Sequence, residues 1–191
     1  MLERNPLHSH GMGIPDTVAE YQRLRSLIRD IPDYPKPGVV FKDITPLLAD
    51  AVAFADTTAA LAEPFRDFGV THVVSIESRG FILGAPVAQH LGAGFIPVRK
   101  PGKLPSVTRR EEYELEYGTD ALEVHVDAAD GSARVLIVDD VLATGGTAGA
   151  TCRLVESLGA EVVGCSFLIR LSFLNGIERL RAKRIVSLIT Y

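Results

Sequence analysis

The residues best suited to chemistry are two adjacent carboxylates, Asp139 and Asp140, and the segment 143–147 that follows them. Neighbouring carboxylates can accept hydrogen bonds from vicinal hydroxyl groups such as those of a ribose. Threonine hydroxyls and glycine N–H groups at the start of a helix can bind an anion, because the helix dipole favours negative charge there. We call this segment the phosphate loop; its residues are Ala143, Thr144, Gly145, Gly146 and Thr147.

Taken together, the acidic pair and the phosphate loop predict a site for a ribose that carries a phosphate. Each feature alone has an ordinary alternative, a solvated turn for the carboxylates and a flexible connection for the glycines. Their order, directly after an apolar strand and before a helix, favours the ligand-binding interpretation.

A second polar break, Ser78, Arg79 and Gly80, follows another apolar stretch. A guanidinium and a backbone N–H at this position can face a pyrophosphate. The alternative is an ordinary helix cap.

Three basic residues, Arg99, Lys100 and Lys103, form what we call the basic segment. They could neutralise a pyrophosphate together with Mg²⁺, which takes oxygen ligands from phosphates more readily than from an all-protein cage. We therefore predict no direct protein ligand for the metal. The alternative is a solvated basic stretch.

Two βαβ units are predicted to position these groups, because near-continuous apolar strands alternate with helical patterns. This pattern predicts an α/β fold with a central, mostly parallel sheet flanked by helices. In such sheets ligands bind beyond the carboxyl ends of the strands, where the polar groups above are placed. The predicted elements are strand 73–76, helix 80–91 and strand 95–99 in the first unit, and strand 135–138, helix 147–158 and strand 162–169 in the second.

The first part of the chain is predicted to be mainly helix and loop. Thr17 with Glu20 indicates a capping box for a helix that ends before Pro32. The segment 34–48, rich in proline, predicts a loop with at most a brief strand. From an N-cap at Asp50 a long helix is expected to reach Phe68, kinked or shortened by Pro64.

A charged segment at 101–118 contains two prolines and two glycines and predicts a long irregular loop. Such loops in compact domains are usually functional lids or disordered, so we expect a flexible lid here. The leader 1–13 is expected to be disordered, and 14–191 to form a single domain.

Composition excludes several classes of protein. With 191 residues, 47% hydrophobic content and a formal net charge of −4, the chain is predicted to be globular and without a nucleic-acid partner. No segment approaches the roughly 18 apolar residues of a membrane helix, so no membrane partner and a cytoplasmic location are expected. Cys152 and Cys165 lack paired spacing and are predicted to be core thiols.

The acidic pair followed by A-T-G-G-T resembles the phosphoribosyl pyrophosphate motif of the type I phosphoribosyltransferases. Four further segments are similar to the adenine-specific members of that family, and the similarity runs from about residue 31 to the last strand. These segments are Y-P-K-P-G-V-V-F-K-D-I-T-P-L-L from Tyr34, E-S-R-G-F from Glu77, V-R-K-P-G-K-L-P from Val98 and Y-E-L-E-Y-G-T from Tyr113.

The resemblance implies a type I phosphoribosyltransferase fold with an N-terminal hood segment at 31–48 and the lid at 101–118. It also implies an enzyme of purine salvage that transfers the phosphoribosyl group of phosphoribosyl pyrophosphate (PRPP) to adenine, giving AMP and pyrophosphate, with Mg²⁺ as cofactor. Members are typically homodimers.

The resemblance further assigns roles to the phosphate-binding residues. Asp139 and Asp140 would hold the ribose hydroxyls, and the phosphate loop would hold the 5-phosphate. The pyrophosphate contacts would be Ser78, Arg79, Gly80, Lys100 and Lys103. Arg99 would either join them or serve the site of a dimer partner, and a cis peptide would fall between Glu77 and Ser78.

Base recognition and proton transfer are also implied by the resemblance. Adenine would contact the Val40 carbonyl and the Lys42 N–H, with Phe41 stacked on the ring and Val141 nearby. Glu116 would transfer the proton, with Arg79 as a second catalytic residue, and Tyr117 would close the lid. The residues by themselves leave Glu111, Glu112 and Glu114 open as alternatives to Glu116.

The sequence leaves two rival functions open. A sibling enzyme would act on xanthine or another 6-oxo base. A regulator that only senses PRPP and controls transcription would need an added DNA-binding segment and a basic face.

Overall fold

The computed structural model describes residues 18–114, 118–180, 182 and 184–191, which form two compact units with a boundary after Asp56. The strands are β1 (Arg29–Pro32), β2 (Val40–Asp43), β3 (His72–Ile76), β4 (Gly94–Val98), β5 (Thr108–Glu114), β6 (Thr119–His125), β7 (Arg134–Leu142), β8 (Glu161–Arg170) and β9 (Ile185–Thr190). The helices are α1 (Val18–Ser26), α2 (Thr45–Ala49), α3 (Ala51–Ala62), α4 (Arg79–Leu91) and α5 (Gly146–Ser157), with the 3-10 helices η1 (Glu63–Phe65), η2 (Ser172–Leu174) and η3 (Gly176–Arg179).

The first unit contains a two-stranded antiparallel ribbon that sequence reasoning did not predict. Strands β1 and β2 pair so that Ile31 lies opposite Phe41. The brief strand allowed within the predicted loop at 34–48 is observed as β2, whereas the helix α2 in the same segment contradicts the prediction. Helix α1 ends earlier than predicted because β1 follows it directly, and Thr17, the proposed cap, lies outside the described residues.

The start of α3 confirms the predicted N-cap. The carboxylate Oδ1 of Asp50 accepts a hydrogen bond from the backbone N–H of Ala53 at 2.8 Å. The helix ends at Ala62 rather than near Phe68, and η1 follows it. Pro64 lies in η1, where its missing N–H cannot continue an α-helical ladder, so the shortened form of the prediction is the one observed.

The second unit contains the parallel sheet and confirms the predicted α/β fold. Its strand order is β4-β3-β7-β8-β9, and every neighbouring pair is parallel. Most predicted bounds agree with the observed ones within one residue. The exception is β7, which runs on to Leu142. Asp139 therefore lies within the strand, opposite Phe167 of β8, and not in a turn after it.

Part of the predicted irregular loop at 101–118 is a strand. Residues of β5 pair antiparallel with β6, and Tyr113 lies opposite Asp120. The stretch from Thr108 to Glu114 has one apolar side chain, so it lacks the alternation that predicts a strand. Cross-strand hydrogen bonds decide its conformation instead. The predicted leader 1–13 lies outside the described residues, and a single domain over 14–191 stays a prediction.

The interior of the second unit is closely packed around the central strands. Phe65 and Phe167 are fully buried, and both cysteines are free thiols in the buried core. Over the described part of the chain, the helices are all too short or too polar to cross a bilayer.

Candidate active site

Two helix N-termini meet at one edge of the parallel sheet. Strands β3 and β7 are direct neighbours, with Ser75 opposite Val138. Helix α4 begins at Arg79 just after β3, and α5 begins at Gly146 just after β7. Neither N-terminus carries a side-chain cap hydrogen bond among the described residues. Backbone N–H groups and two helix dipoles are thus directed at the same edge, an arrangement that favours anions.

The acidic pair on β7 contacts the guanidinium of Arg79. Arg79 Nε lies 2.7 Å from Asp140 Oδ2, and the Asp140 side chain is 7% exposed. The backbone N–H of Asp140 donates to Asp139 Oδ1 at 3.0 Å. The structure therefore joins the two segments that the sequence singled out separately.

Burial changes the acidity of both carboxyl groups. Burial raises the pKa of Asp139 well above its ordinary value, and the neighbouring charge of Asp140 raises it further. Burial also raises the pKa of Asp140, although the Arg79 guanidinium opposes the change. The two buried carboxyl groups therefore favour a ligand or side chain that donates hydrogen bonds or carries positive charge.

Gly80 lets the start of α4 approach the acidic pair. A Cβ atom at this position would lie 2.6 Å from Asp139 Oδ1. Any side chain would therefore push the helix N-terminus away from the carboxylates. Gly80 therefore has a packing requirement in addition to the ligand-facing role predicted from the sequence.

The phosphate loop is held in place by a contact between glycines. Gly145 has a φ of +79°, and a Cβ atom on it would lie 2.2 Å from the carbonyl oxygen of Gly176. A Cβ atom on Gly176 would in turn lie 2.1 Å from the carbonyl oxygen of Ala143. Sequence reasoning missed Gly176, although the pair Asn175-Gly176 is a typical turn signal.

Glu77 organises the basic segment. Its carboxylate accepts hydrogen bonds from Arg99 Nε at 2.9 Å and from the Lys100 backbone N–H at 2.9 Å, and it lies 3.0 Å from Lys103 Nζ. Its side chain is 8% exposed. Burial alone raises the pKa of Glu77, but these donors outweigh burial and leave the pKa below its ordinary value.

Sequence reasoning did not give Glu77 a role of its own, although it lies in one of the quoted segments. The predicted cis peptide between Glu77 and Ser78 is confirmed. Arg99 also donates from a terminal guanidinium nitrogen to the Lys103 carbonyl at 3.0 Å. The basic segment is thus fixed beside Ser78 and the start of α4.

Lys100 belongs to a network that reaches the phosphate loop. Its ammonium forms an ion pair with Asp120 and donates to the Tyr113 hydroxyl at 3.1 Å. Burial lowers the pKa of Lys100, but the hydrogen bonds with Asp120 and Tyr113 outweigh burial and raise it above its ordinary value. The Tyr113 hydroxyl lies 3.5 Å from Thr147 Oγ1.

A cleft of about 480 Å³ borders the phosphate loop and the strand β5. It is bounded by the antiparallel pair β5 and β6, by one face of α5 and by η3. The residues that line it are Glu112, Tyr113, Glu114, Thr119, Gly145, Gly146, Gly149, Cys152, Arg153, Glu156, Glu178 and Arg179. The structure therefore places part of the predicted lid beside the predicted phosphate site.

The residues proposed to contact a base lie on two different strands. Val40, Phe41 and Lys42 are on β2 in the first unit, where Val40 is 48% exposed and the Phe41 ring meets Tyr34 edge-on at 5.2 Å. Val141 is half-buried on β7. Their proposed roles stay predictions.

The proposed proton-transfer residue Glu116 and its neighbour Tyr117 lie outside the described residues. Two of the alternative glutamates have ion-pair partners: Glu111 lies 2.5 Å from Arg153 Nε, and Glu112 lies 3.2 Å from a terminal nitrogen of Arg110. Within the described ranges, no cluster of three or more histidine, cysteine or acidic residues is placed to hold a metal ion.

Several adenine phosphoribosyltransferases are similar to this chain in sequence and in structure. A family model described as "Phosphoribosyl transferase domain" matches residues 47–184. The adenine phosphoribosyltransferase of Myxococcus xanthus is 56% identical over 168 residues, covering 88% of this chain and 91% of its own. The adenine phosphoribosyltransferase of Acidothermus cellulolyticus is 59% identical over 162 residues, covering 85% and 92%.

Two solved structures extend this similarity to three dimensions. The adenine phosphoribosyltransferase of Rhodothermus marinus superposes with a TM-score of 0.88 at 53% identity and covers 92% of this chain and 100% of its own. The Saccharomyces cerevisiae enzyme, crystallised with an imino-altritol bisphosphate and adenine, gives a TM-score of 0.84 at 37% identity, covering 90% and 99%.

Proposed function

This chain belongs to the phosphoribosyltransferase family and, within it, to the adenine phosphoribosyltransferases, and from that premise we propose the reaction that it catalyses. The enzyme transfers the phosphoribosyl group of PRPP to adenine and releases AMP and pyrophosphate, a step of purine salvage. The bond between the sugar and pyrophosphate breaks, a bond from the sugar to a ring nitrogen of adenine forms, and a proton leaves the base.

The observation that best supports this reaction is the contact of Arg79 with Asp140. It brings a guanidinium at one helix N-terminus within 2.7 Å of the acidic pair that precedes the other. A ligand with a ribose between a 5-phosphate and a pyrophosphate requires this combination of carboxylates, cations and helix N-termini. PRPP has that structure.

We propose that the acidic pair binds the ribose hydroxyls and that the phosphate loop binds the 5-phosphate through its N–H groups and hydroxyls. The proposed pyrophosphate contacts are Ser78, Arg79, Gly80, Lys100 and Lys103. Mg²⁺ would enter with the substrate, since the side chains proposed around the pyrophosphate are cations and a hydroxyl, which suit phosphate oxygens rather than a metal. When bound, the ion supplies charge neutralisation for the leaving pyrophosphate.

Base selection is proposed to rest on main-chain groups of β2. The Val40 carbonyl would accept from the amino group of adenine, and the Lys42 N–H would donate to a ring nitrogen, with Phe41 and Val141 against the ring. Hypoxanthine and guanine present the reverse pattern and would leave buried groups unpaired, which can cost several orders of magnitude in specificity.

The reaction passes through a state with positive charge on the sugar, which water would trap. The lid would exclude solvent and bring Glu116 to the base, with Tyr117 beside it. Glu116 then accepts the proton in synthesis and returns it in the reverse reaction, and Arg79 acts at the leaving group. We further propose a homodimer in the cytoplasm, with Arg99 at the subunit boundary.

The function is tested by incubating the protein with PRPP, Mg²⁺ and each of adenine, hypoxanthine, guanine and xanthine. We expect AMP and pyrophosphate with adenine and little product with the others. Faster turnover of a 6-oxo base would identify a sibling enzyme. Absence of pyrophosphate release with every base would favour the regulatory protein.

Replacing Glu116 by glutamine should lower kcat far more than it weakens substrate binding, because the amide cannot accept the proton. General acid–base groups contribute roughly 10²- to 10⁴-fold, so we expect a loss in that range from steady-state assays. The matched control is Glu112→Gln on the same lid. The Glu112 side chain is 67% exposed, and this variant should keep the activity of the original enzyme. Equal losses of kcat and affinity, or equal losses in both variants, would reject the assignment.

A further inference from the structure

Tyr113 is a buried aromatic side chain on an otherwise polar strand. It is 6% exposed, whereas its neighbours Glu112 and Glu114 point toward solvent. A tyrosine buried this deeply needs partners for its hydroxyl group. Those partners are unusual, because they come from three separate segments of the second unit.

The hydroxyl of Tyr113 both donates and accepts a hydrogen bond. It donates to Asp120 Oδ2 at 3.0 Å and accepts from Lys100 Nζ at 3.1 Å. Thr147 Oγ1 lies 3.5 Å away on the side of the phosphate loop. One oxygen atom therefore connects a lysine of the basic segment to a threonine of the phosphate loop.

The ring of Tyr113 contacts the start of α5. A Cβ atom on Gly146 would lie 3.4 Å from Tyr113 Cδ2 and 3.3 Å from the Glu114 carbonyl oxygen. The glycine lets β5 lie directly against the helix N-terminus. The ring is thus held at the point where backbone N–H groups of the phosphate loop are directed outward.

Two of the N–H donors of the Lys100 ammonium are already used in hydrogen bonds within the protein. An ammonium group has three N–H donors, and Asp120 and Tyr113 accept from this one. With these partners in fixed positions, the direction of the remaining donor is determined. The Tyr113 ring also lies 5.6 Å from the ammonium, which adds a cation–π contact.

We propose that Tyr113 is a positioning residue that holds Lys100 at a fixed distance from the phosphate loop. The pyrophosphate and the 5-phosphate of one substrate molecule can then be bound at the same time. This inference rests on the proposed function, since it takes PRPP as the ligand. Tyr113 acts through Lys100 and touches neither adenine nor the reacting atoms. Its replacement should therefore change the binding of PRPP and not the chemical step.

The first test is the variant Tyr113→Phe, which keeps the ring and removes the hydroxyl. We expect KM for PRPP to rise about five- to tenfold, the effect of losing one or two hydrogen bonds. The kcat and the KM for adenine should stay within about twofold of their original values. The control Tyr21→Phe, on α1 of the first unit, should change none of these constants. A rise of both KM values, or of neither, would overturn the proposal.

A double-mutant cycle separates positioning from a purely structural role. If Tyr113 acts through Lys100, then Tyr113→Phe in a Lys100→Ala background should raise KM for PRPP by less than about twofold further. A structural role would give additive effects, and additivity would overturn the proposal. Thermal unfolding of each variant checks that the fold persists.

Direct binding separates failure of this inference from failure of the proposed function. Calorimetric titration with PRPP and Mg²⁺ needs no turnover, so it applies even if adenine is not converted to AMP. Loss of PRPP affinity in Tyr113→Phe, absent in Tyr21→Phe, would support the positioning role in either case. Unchanged affinity in both variants would contradict it.

Discussion

At the scale of single residues, the main feature of this protein is a carboxyl pair whose environment opposes its charge. Burial raises the pKa of Asp139 and Asp140 above the ordinary value of 3.8. A raised carboxyl pKa means that the folded state binds a proton more tightly than the unfolded state does. Stability from this source is full below the unfolded value and is lost as pH rises through the raised values.

Asp139→Asn should therefore stabilise the protein while weakening PRPP binding. The amide removes the buried charge and can still accept the Asp140 N–H at its Oδ1 position. We expect Tm at pH 8 to rise by at least about 2 °C, close to 1 kcal/mol for a chain of this size, and the gain to shrink toward pH 5. Thermal scans at several pH values and calorimetry with PRPP measure both effects.

Two results would contradict this view of Asp139. A lower Tm at every pH would mean that the ionised carboxylate stabilises the fold. Unchanged PRPP affinity would remove Asp139 from the ribose site. If Asp139 lowers the stability of the fold but binds the ligand, its replacement should raise stability and weaken binding.

At the scale of elements, the geometry of the phosphate loop depends on η3, which lies some thirty residues later in the chain. The closest approach is between backbone atoms, since a Cβ on Gly176 would meet the Ala143 carbonyl at 2.1 Å and the Gly145 nitrogen at 2.7 Å. A side chain at Gly176 would thus have to displace the loop. The start of α5 is set by packing as well as by its own sequence.

Gly176→Ala should impair phosphate binding and also lower stability. Overpacking of this kind costs about 1–3 kcal/mol, and the shifted N–H groups should raise KM for PRPP at least about tenfold. The control is Gly131→Ala, where the nearest atom to a new Cβ is 3.8 Å away. Steady-state kinetics and thermal unfolding of both variants give the comparison. Equal KM values in the two variants would show that the loop tolerates displacement.

At the scale of the whole molecule, the candidate site is assembled by strand order. Residues of the segments 77–80 and 139–147 are distant in sequence, but β3 and β7 are adjacent in the sheet. A ligand that engages groups from both segments should stabilise the folded chain as a unit, because it binds only when they are together.

AMP should raise the Tm of the protein by about 5–10 °C when present at one hundred times its Kd, since binding then contributes about 2.7 kcal/mol. Adenosine, which lacks the 5-phosphate, serves as the control and should give a much smaller shift at the same concentration. Differential scanning fluorimetry measures both. Equal shifts would mean that the phosphate loop does not bind the phosphate of the nucleotide.

Much of the fold was predictable from the sequence, because buried parallel strands and amphipathic helices leave a periodic signal. The elements β3, α4, β4, α5 and β8 were placed within one residue of their observed bounds. Strands β1 and β5 were not predicted, and β2 was predicted only as a possible brief strand within a loop. These three strands are short or polar, and pairing with a partner strand stabilises them more than their own residue pattern does.

The sequence by itself determined the chemistry: an acidic pair, a phosphate loop and a basic segment, each recognisable from residue types next to one another in the chain. The tertiary structure alone decided which of these groups touch. The contact of Arg79 with Asp140, the carboxylate of Glu77 beneath the basic segment and the hydroxyl of Tyr113 between Lys100 and Thr147 all join segments distant in sequence. Such contacts depend on strand order and close packing, which leave no periodic trace in the sequence of any one segment.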